Sequence, residues 1–292
     1  MSKEKVGFLG PKGTFTEMAV MTVFKEETRI PFETIPRCID AVMDGEVDYG
    51  VVPLENAIEG SVNLTIDYLI HEQPLPIVGE IHVPIQQHFM VHPDNINKLK
   101  QLKNVYSHPH AIAQCHRFLR ENYPNIQTNF MNSTSAAAKY VEEHPEQCVA
   151  AIANELAAKE YHLSIVQRDV HDYTNNVTRF VILHQTHQKL KQSSNQVSEK
   201  TTVLVTLPKD YPGALHQVLS AFAWRKLNLS KIESRPAKTG LGNYFFVIDV
   251  EMKMDDVLIP GVKQELEALG CGVKILGSYP VYKKRREQVN VK

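Results

Sequence analysis

Residues 185–200 read QTHQKLKQSSNQVSEK, a stretch almost without large apolar side chains. Such a segment cannot bury enough surface to fold by itself, so it reads as a linker between two parts that each need a core of their own. Residues 1–184 are long enough for two lobes, residues 201–280 suit one small domain, and residues 281–292 form a basic tail. A length of 292 residues agrees with this division.

Apolar residues make up 43% and charged residues 22%, which places the chain among ordinary globular proteins. The net charge of −1 gives no global field to draw in nucleic acid. The run Lys283-Lys284-Arg285-Arg286 is read as a solvated chain end. The cysteines Cys38, Cys115, Cys148 and Cys271 are scattered, with neither zinc-like spacing nor a disulfide pattern. No signal-peptide core follows Met1, and no apolar run reaches the ~18 residues of a membrane span. The expectation is a reduced, cytoplasmic protein with neither a nucleic-acid nor a membrane partner.

Before the linker, strand and helix signals alternate. Residues 6–9 read as a short buried strand, residues 15–25 as a helix, and residues 47–52 as a second strand ended by Pro53. Further on come a strand at 105–106, a helix near 111–121, a strand near 127–130, a helix near 135–143, and strands at 149–152 and 180–183. This alternation predicts an α/β fold with mostly parallel sheet, in which ligands bind where loops leave the strand ends. After the linker the order is β-α-β-β-α-β. It comprises strand 201–207, a helix with Leu215, Val218, Leu219 and Phe222 on one face, strands 229–234 and 244–251 joined through Gly240-Leu241-Gly242-Asn243, helix 262–269 closed by Gly270, and strand 273–279. That order is the ferredoxin-like arrangement.

Small polar residues recur where strands end or helices begin. Gly10-Pro11-Lys12-Gly13-Thr14-Phe15-Thr16-Glu17 lies between strand and helix; it either presents backbone N–H groups to an anion or simply caps the helix, with Thr14 and Glu17 as a capping box. Pro53-Leu54-Glu55-Asn56 and Gly60-Ser61-Val62 put an acid and an amide at a strand end. Ser107-His108-Pro109-His110 and Ser133-Thr134-Ser135 open helices, and Asn154 follows a strand in the same way. Asn176-Val177-Thr178-Arg179-Phe180 adds a hydroxyl, an amide and a permanently charged guanidinium. His108, His110 and His116 have no partner spacing that suggests a metal. There is no Gly-x-Ser-x-Gly elbow, no His-Glu-x-x-His and no cofactor fingerprint. Neutral donors around one Arg suit a small polycarboxylate.

Taken in order, Gly10-Pro11-Lys12-Gly13-Thr14-Phe15-Thr16, Pro53-Leu54-Glu55-Asn56 with Gly60-Ser61-Val62, Ser107-His108-Pro109, Ser133-Thr134 and Thr178-Arg179-Phe180 resemble the motifs of the prephenate dehydratase family. Gly213-Ala214-Leu215 and Glu233-Ser234-Arg235-Pro236 resemble its phenylalanine-binding ACT domain. The resemblance runs from about residue 6 to residue 279, and its specificity comes from the joint order of modest motifs. It departs at His110, where Gln is usual, and at Ser135-Ala136, where Ala-Glu is commoner, so no function is carried onto His110 or Ser135.

The resemblance implies two α/β lobes like a type II periplasmic binding protein, an active cleft between them, and a βαββαβ ACT domain. It implies conversion of prephenate to phenylpyruvate, water and carbon dioxide without metal or cofactor, feedback by L-phenylalanine, and a homodimer or homotetramer formed through ACT and catalytic domains. Thr178, Arg179 and Glu55 become the catalytic candidates. Thr14, Asn56, Ser107, His108, Ser133, Thr134, Asn154, Asn176 and Phe180 become substrate-binding candidates. Gly213, Ala214, Leu215, Asn228, Leu229, Glu233, Ser234, Arg235 and Pro236 become effector-binding candidates. Arg179 would hold one carboxylate and N–H groups near Thr14 and Ser133-Thr134 the other. A Thr hydroxyl is a poor general acid, so Thr178 would polarise the departing hydroxyl, with Glu55 or His108 as lesser candidates for the proton. Two other readings stay open: an amino-acid sensor without chemistry, and the same reaction on arogenate.

Overall fold

The computed structural model describes residues 3–190, 194–209, 211–237 and 244–284. The expected turn at 240–243, residues 191–193 of the linker and the basic pair Arg285-Arg286 lie outside the described residues. The chain divides into two compact units. One contains residues up to 74 and 81–181; the other contains residues 75–80 and 182–283.

The chain begins with β1 (Lys5–Leu9), α1 (Phe15–Val23), β2 (Thr28–Phe32), α2 (Ile35–Met43), β3 (Tyr49–Asn56), β4 (Gly60–Ser61), α3 (Asn63–His71) and β5 (Ile77–Pro84), whose first residues belong to the second unit. It continues through β6 (His88–Val91), β7 (Asn104–Ser107), α4 (Pro109–Gln114), α5 (His116–Asn122), β8 (Gln127–Phe130), α6 (Thr134–Glu143), β9 (Ala150–Ala153), α7 (Glu155–Glu160) and β10 (Ser164–Gln167), and returns in β11 (Val177–Leu183). These elements form two lobes. In the first lobe β5, β11, β3, β1 and β2 lie side by side in that order. In the second the order is β10-β6-β9-β7-β8. The chain therefore crosses between lobes twice, and Ile85 N–H donates to Asn176 C=O at 2.9 Å where the two crossings meet.

The second lobe explains why residues 149–152 lack polar alternation. Ala151 and Ala153 of β9 pack with Ala137, Val141 and Ala157 on one side of the sheet. Ala150 and Ile152 pack with Ala111, Cys115 and Leu119 on the other. A strand buried on both faces reads as a continuous apolar run.

Three expectations change. The strand at 28–32 was not expected, because Pro31 and charged neighbours hide it; β2 is the last strand of its sheet, where a missing N–H is tolerated. Pro53 does not end its strand. β3 runs on to Asn56, and its pairing with β1 stops at Val51, before Pro53. The helix expected at 111–121 is two helices, broken at Cys115.

The second unit contains β12 (Gln196–Thr206), α8 (Ala214–Ala223), β13 (Leu229–Pro236), β14 (Tyr244–Val250), α9 (Leu258–Ala268) and β15 (Gly272–Lys283). The antiparallel sheet order is β13-β14-β12-β15. Val203, Val205, Phe246 and Ile248 from the sheet meet Val218, Phe222, Val262 and Leu266 from the helices in one core. Gly270, at φ 85°, closes α9 in a Schellman turn, with Cys271 N–H on Leu266 C=O at 3.0 Å and Gly270 N–H on Glu267 C=O at 2.9 Å. The segment read as linker ends in strand: β12 begins at Gln196, because its polar first residues pair through the backbone with β15, from Gln196 opposite Tyr282 to Lys200 opposite Tyr279. β15 likewise runs to Lys283, into the segment read as tail. No helix among the described residues is long and apolar enough to cross a membrane.

Candidate active site

A cleft of about 1080 Å³ opens between the two lobes of the first unit. Thr14, Asn56, His108, Ser133, Thr134, Asn176, Thr178 and Phe180 all line it. These residues are far apart in sequence, and the two crossings bring them together. Thr178, Asn176 and Phe180 are buried and form its floor.

Two helices with hydroxyl caps start at the cleft. Thr14 caps α1, its Oγ1 accepting from Glu17 N–H at 3.3 Å and donating to Leu9 C=O at 3.2 Å. Ser133 caps α6, its Oγ accepting from Ala136 N–H at 2.9 Å. The first N–H groups of a helix have no partner within it, and the helix dipole adds partial positive charge, so each start suits an anion. The capping box expected at Thr14 and Glu17 is altered. Glu17 reaches back to Gly13 N–H at 2.7 Å and pairs with Arg29 at 3.2 Å.

On the floor, polarity is fixed by the turn after β3. Asn56 Oδ1 accepts the N–H groups of Ile58 and Glu59, both at 3.0 Å. Its amide Nδ2 must then face the other way, where it donates to Thr178 Oγ1 at 2.8 Å. With its oxygen accepting, Thr178 keeps its hydroxyl hydrogen to give to another group. His108 Nδ1 accepts from His110 N–H at 3.3 Å, so its ring proton sits on Nε2. Burial, and next the neighbouring His110, hold its pKa below the usual histidine value against the pull of Glu59. His108 is therefore a neutral donor.

Four expected site residues do not line the cleft. Arg179 and Glu55 were expected to face substrate. Instead they form an ion pair at 2.6 Å, because side chains alternate along a strand and the face that shows Thr178 and Asn56 turns Arg179 and Glu55 away. Ser107 is fully buried, with Oγ donating to Ile152 C=O at 2.6 Å between β7 and β9. Asn154 caps α7 through Ala157 N–H at 2.9 Å and donates to Gly13 C=O at 2.9 Å, which ties one lobe to the other. Ser135 Oγ, onto which no function was carried, donates to Lys12 C=O and tightens the same lobe contact.

Other lining residues were missed: Gln114, Glu59, Glu33 and Gln87. Gln114 falls on the same helical face as Ala111, so helical spacing from His108 and His110 carried a signal. Glu59 sits between two motifs that were noticed. His110, set aside because of its departure from the family, lines the cleft with Nδ1 at 3.5 Å from Glu59.

In the second unit, Gly213 caps α8 at φ 92°, a conformation that L side chains rarely adopt. Ala214 N–H is occupied by Tyr211 C=O at 3.0 Å, whereas the Leu215 side chain is exposed. Ser234 pairs with Phe246 and Arg235 with Phe245, which face Val205 and Thr206 at the end of β12 from which α8 departs. Glu233 and Pro236 flank them, Glu233 pairing with Lys231 at 2.9 Å. Asn228 and Leu229 lie at the opposite end of the sheet, Leu229 facing Val250 and, beyond it, Thr201. The length of α8, about 15 Å at ~1.5 Å per residue, separates them from Gly213.

The prephenate dehydratase family model matches residues 6–188, and the ACT domain model matches residues 201–270. The chain belongs to the prephenate dehydratase family. Over 282 residues it is 58% identical to prephenate dehydratase of Bacillus subtilis (strain 168), which covers 95% of this chain and 99% of that protein. It resembles a crystal structure of prephenate dehydratase from Arthrobacter aurescens in complex with L-Phe, with a TM-score of 0.82 at 37% identity, covering 94% of this chain and 89% of that one. Arogenate dehydratase/prephenate dehydratase 2, chloroplastic, of Arabidopsis thaliana is 33% identical over 289 residues, covering 96% of this chain and 74% of that protein.

Proposed function

We propose that this chain converts prephenate to phenylpyruvate, water and carbon dioxide in the biosynthesis of phenylalanine, and that L-phenylalanine regulates it through the ACT domain. The observation that carries the reading is the gathering of the family's motif residues around a single cleft with two helix starts and a floor of oriented neutral donors. Prephenate carries two carboxylates, a keto group and a ring hydroxyl. The starts of α1 and α6 suit the carboxylates, a role that passes to them because Arg179 is engaged with Glu55.

In the reaction the ring carboxylate leaves as carbon dioxide, and its electron pair enters the ring. The opposite carbon–oxygen bond breaks, hydroxide departs and takes a proton to become water, and the ring is aromatic. The large driving force makes modest catalysis sufficient. Thr178 gives the departing oxygen a hydrogen bond, which its orientation by Asn56 supports. His108, as the neutral Nε2–H form, is a supporting donor. Thr178→Ser should keep most of kcat on prephenate, and Thr178→Val should lose about a hundredfold, the scale of one oriented donor. Full activity in Thr178→Val would sink the assignment.

For the effector, Gly213 and the exposed Leu215 at the start of α8, with Ser234, Arg235 and Pro236 at the same sheet end, offer N–H groups for a carboxylate and apolar surface for a benzyl group. Asn228 and Leu229 at the far end suit a site completed by a second copy, in a homodimer or homotetramer working in the cytoplasm. Light scattering with and without phenylalanine tests this, and a monomer that binds phenylalanine would contradict it.

A further inference from the structure

The floor of the cleft holds a second oriented chain besides the one that ends at Thr178. It starts at Glu59, whose carboxylate can only accept. Gln114 Nε2 donates to Glu59 Oε1 at 3.3 Å. That turns Gln114 Oε1 towards Asn176, whose Nδ2 donates to it at 3.1 Å. The Asn176 amide is thereby committed, and its Oδ1 is left buried without a hydrogen-bond partner. Asn176 is 2% exposed, so bulk water does not meet this need. Gln87 Oε1, from another residue lining the same cleft, is also buried and unpartnered.

Buried acceptors are almost always paired, so the missing donor is to be sought in what the cleft binds. We propose that Glu59 is a positioning residue that fixes Asn176 Oδ1, through Gln114, as an acceptor for the ring hydroxyl hydrogen of the substrate. This rests on the reading of the chain as a prephenate dehydratase. With its carboxylates ionised, prephenate has one hydrogen-bond donor, the ring hydroxyl. Asn176 and Thr178 are two apart and face the same way, so one hydroxyl meets both: Asn176 takes its hydrogen, and its lone pair is turned to the hydrogen of Thr178. Both chains originate in the turn from Asn56 to Glu59, which therefore sets one donor and one acceptor at the point where the carbon–oxygen bond breaks.

The test uses two inert saturated-ring analogues of prephenate, one with the ring hydroxyl and one with fluorine in its place, which accepts weakly and cannot donate, titrated calorimetrically into the full-length protein. The wild type should bind the hydroxyl analogue about tenfold or more tightly, since a buried acceptor goes unpaired in the other complex. In Glu59→Lys an ammonium donates to Gln114, the chain reverses, and Asn176 presents Nδ2 in place of Oδ1; the preference should shrink to what the hydrogen of Thr178 alone leaves. In the double variant Glu59→Lys with Gln114→Glu, the carboxylate at position 114 accepts from both neighbours, and the preference should return. Equal binding of the two analogues by the wild type overturns the proposal without any variant. So does a preference undiminished in Glu59→Lys, or one that the double variant fails to restore. If neither analogue binds and prephenate is not turned over, the functional reading fails as well; if prephenate is turned over and the analogues bind equally, only this proposal fails.

Discussion

Asn56 is the residue on which the floor of the cleft depends. Its Oδ1 holds two backbone N–H groups and its Nδ2 holds Thr178. Asn56→Asp keeps the turn, since a carboxylate still accepts those N–H groups, but it offers Thr178 an acceptor where there was a donor. Thr178 would then spend its hydrogen on residue 56. We expect kcat on prephenate to fall about a hundredfold with KM little changed, the pattern of an interaction made mainly in the transition state. Gly13 is constrained differently. It has φ 76°, and a Cβ there would stand 2.9 Å from Ser135 Oγ and 3.0 Å from Ala157 Cα. Gly13→Ala should lower stability by at least the ~1–2 kcal/mol of a left-handed L residue, read by urea unfolding. Both positions were legible as motif residues. The pairing of Arg179 with Glu55 was not read, although period-two alternation already says that Thr178 and Arg179 cannot face one cleft.

At the scale of elements, legibility followed burial pattern. β8 was expected at its observed bounds, and the βαββαβ order of the second unit holds. β2 and the start of β12 escaped because backbone pairing sustains them, and no apolar alternation advertises it. β6 supplies a pH test. His88, at its start, is buried, and Nδ1 accepts Asp169 N–H at 3.0 Å. Burial lowers its pKa, outweighing the opposing pull of Asp169. The unfolded chain therefore binds the proton more readily than the folded one. The stability contributed is complete above the unfolded value of about 6.5 and is lost as pH falls through the lowered folded value. Unfolding free energy measured from about pH 8 to about pH 5 should decline less steeply in His88→Gln than in the wild type. Equal slopes would contradict this.

At the scale of the whole molecule, each unit carries its own requirement. The second unit buries charge: Lys200 Nζ lies 2.9 Å from Glu80 Oε1 and 3.9 Å from Asp249 Oδ2, while Thr202 Oγ1 donates to Asp249 at 2.7 Å. Lys200 was assigned to the linker because a polar run looks solvated in sequence; only the fold reveals the carboxylates around it. Lys200→Met removes their shared cation and should destabilise the protein by about 3–5 kcal/mol, seen as a lowered denaturation midpoint. The first unit holds the cleft, and the second matches the ACT domain model. The most direct test is phenylpyruvate formation from prephenate by the purified protein at neutral pH, followed by enolate absorbance in alkali, with and without L-phenylalanine. Formation that phenylalanine suppresses is the expected result. No phenylpyruvate under either condition would contradict it.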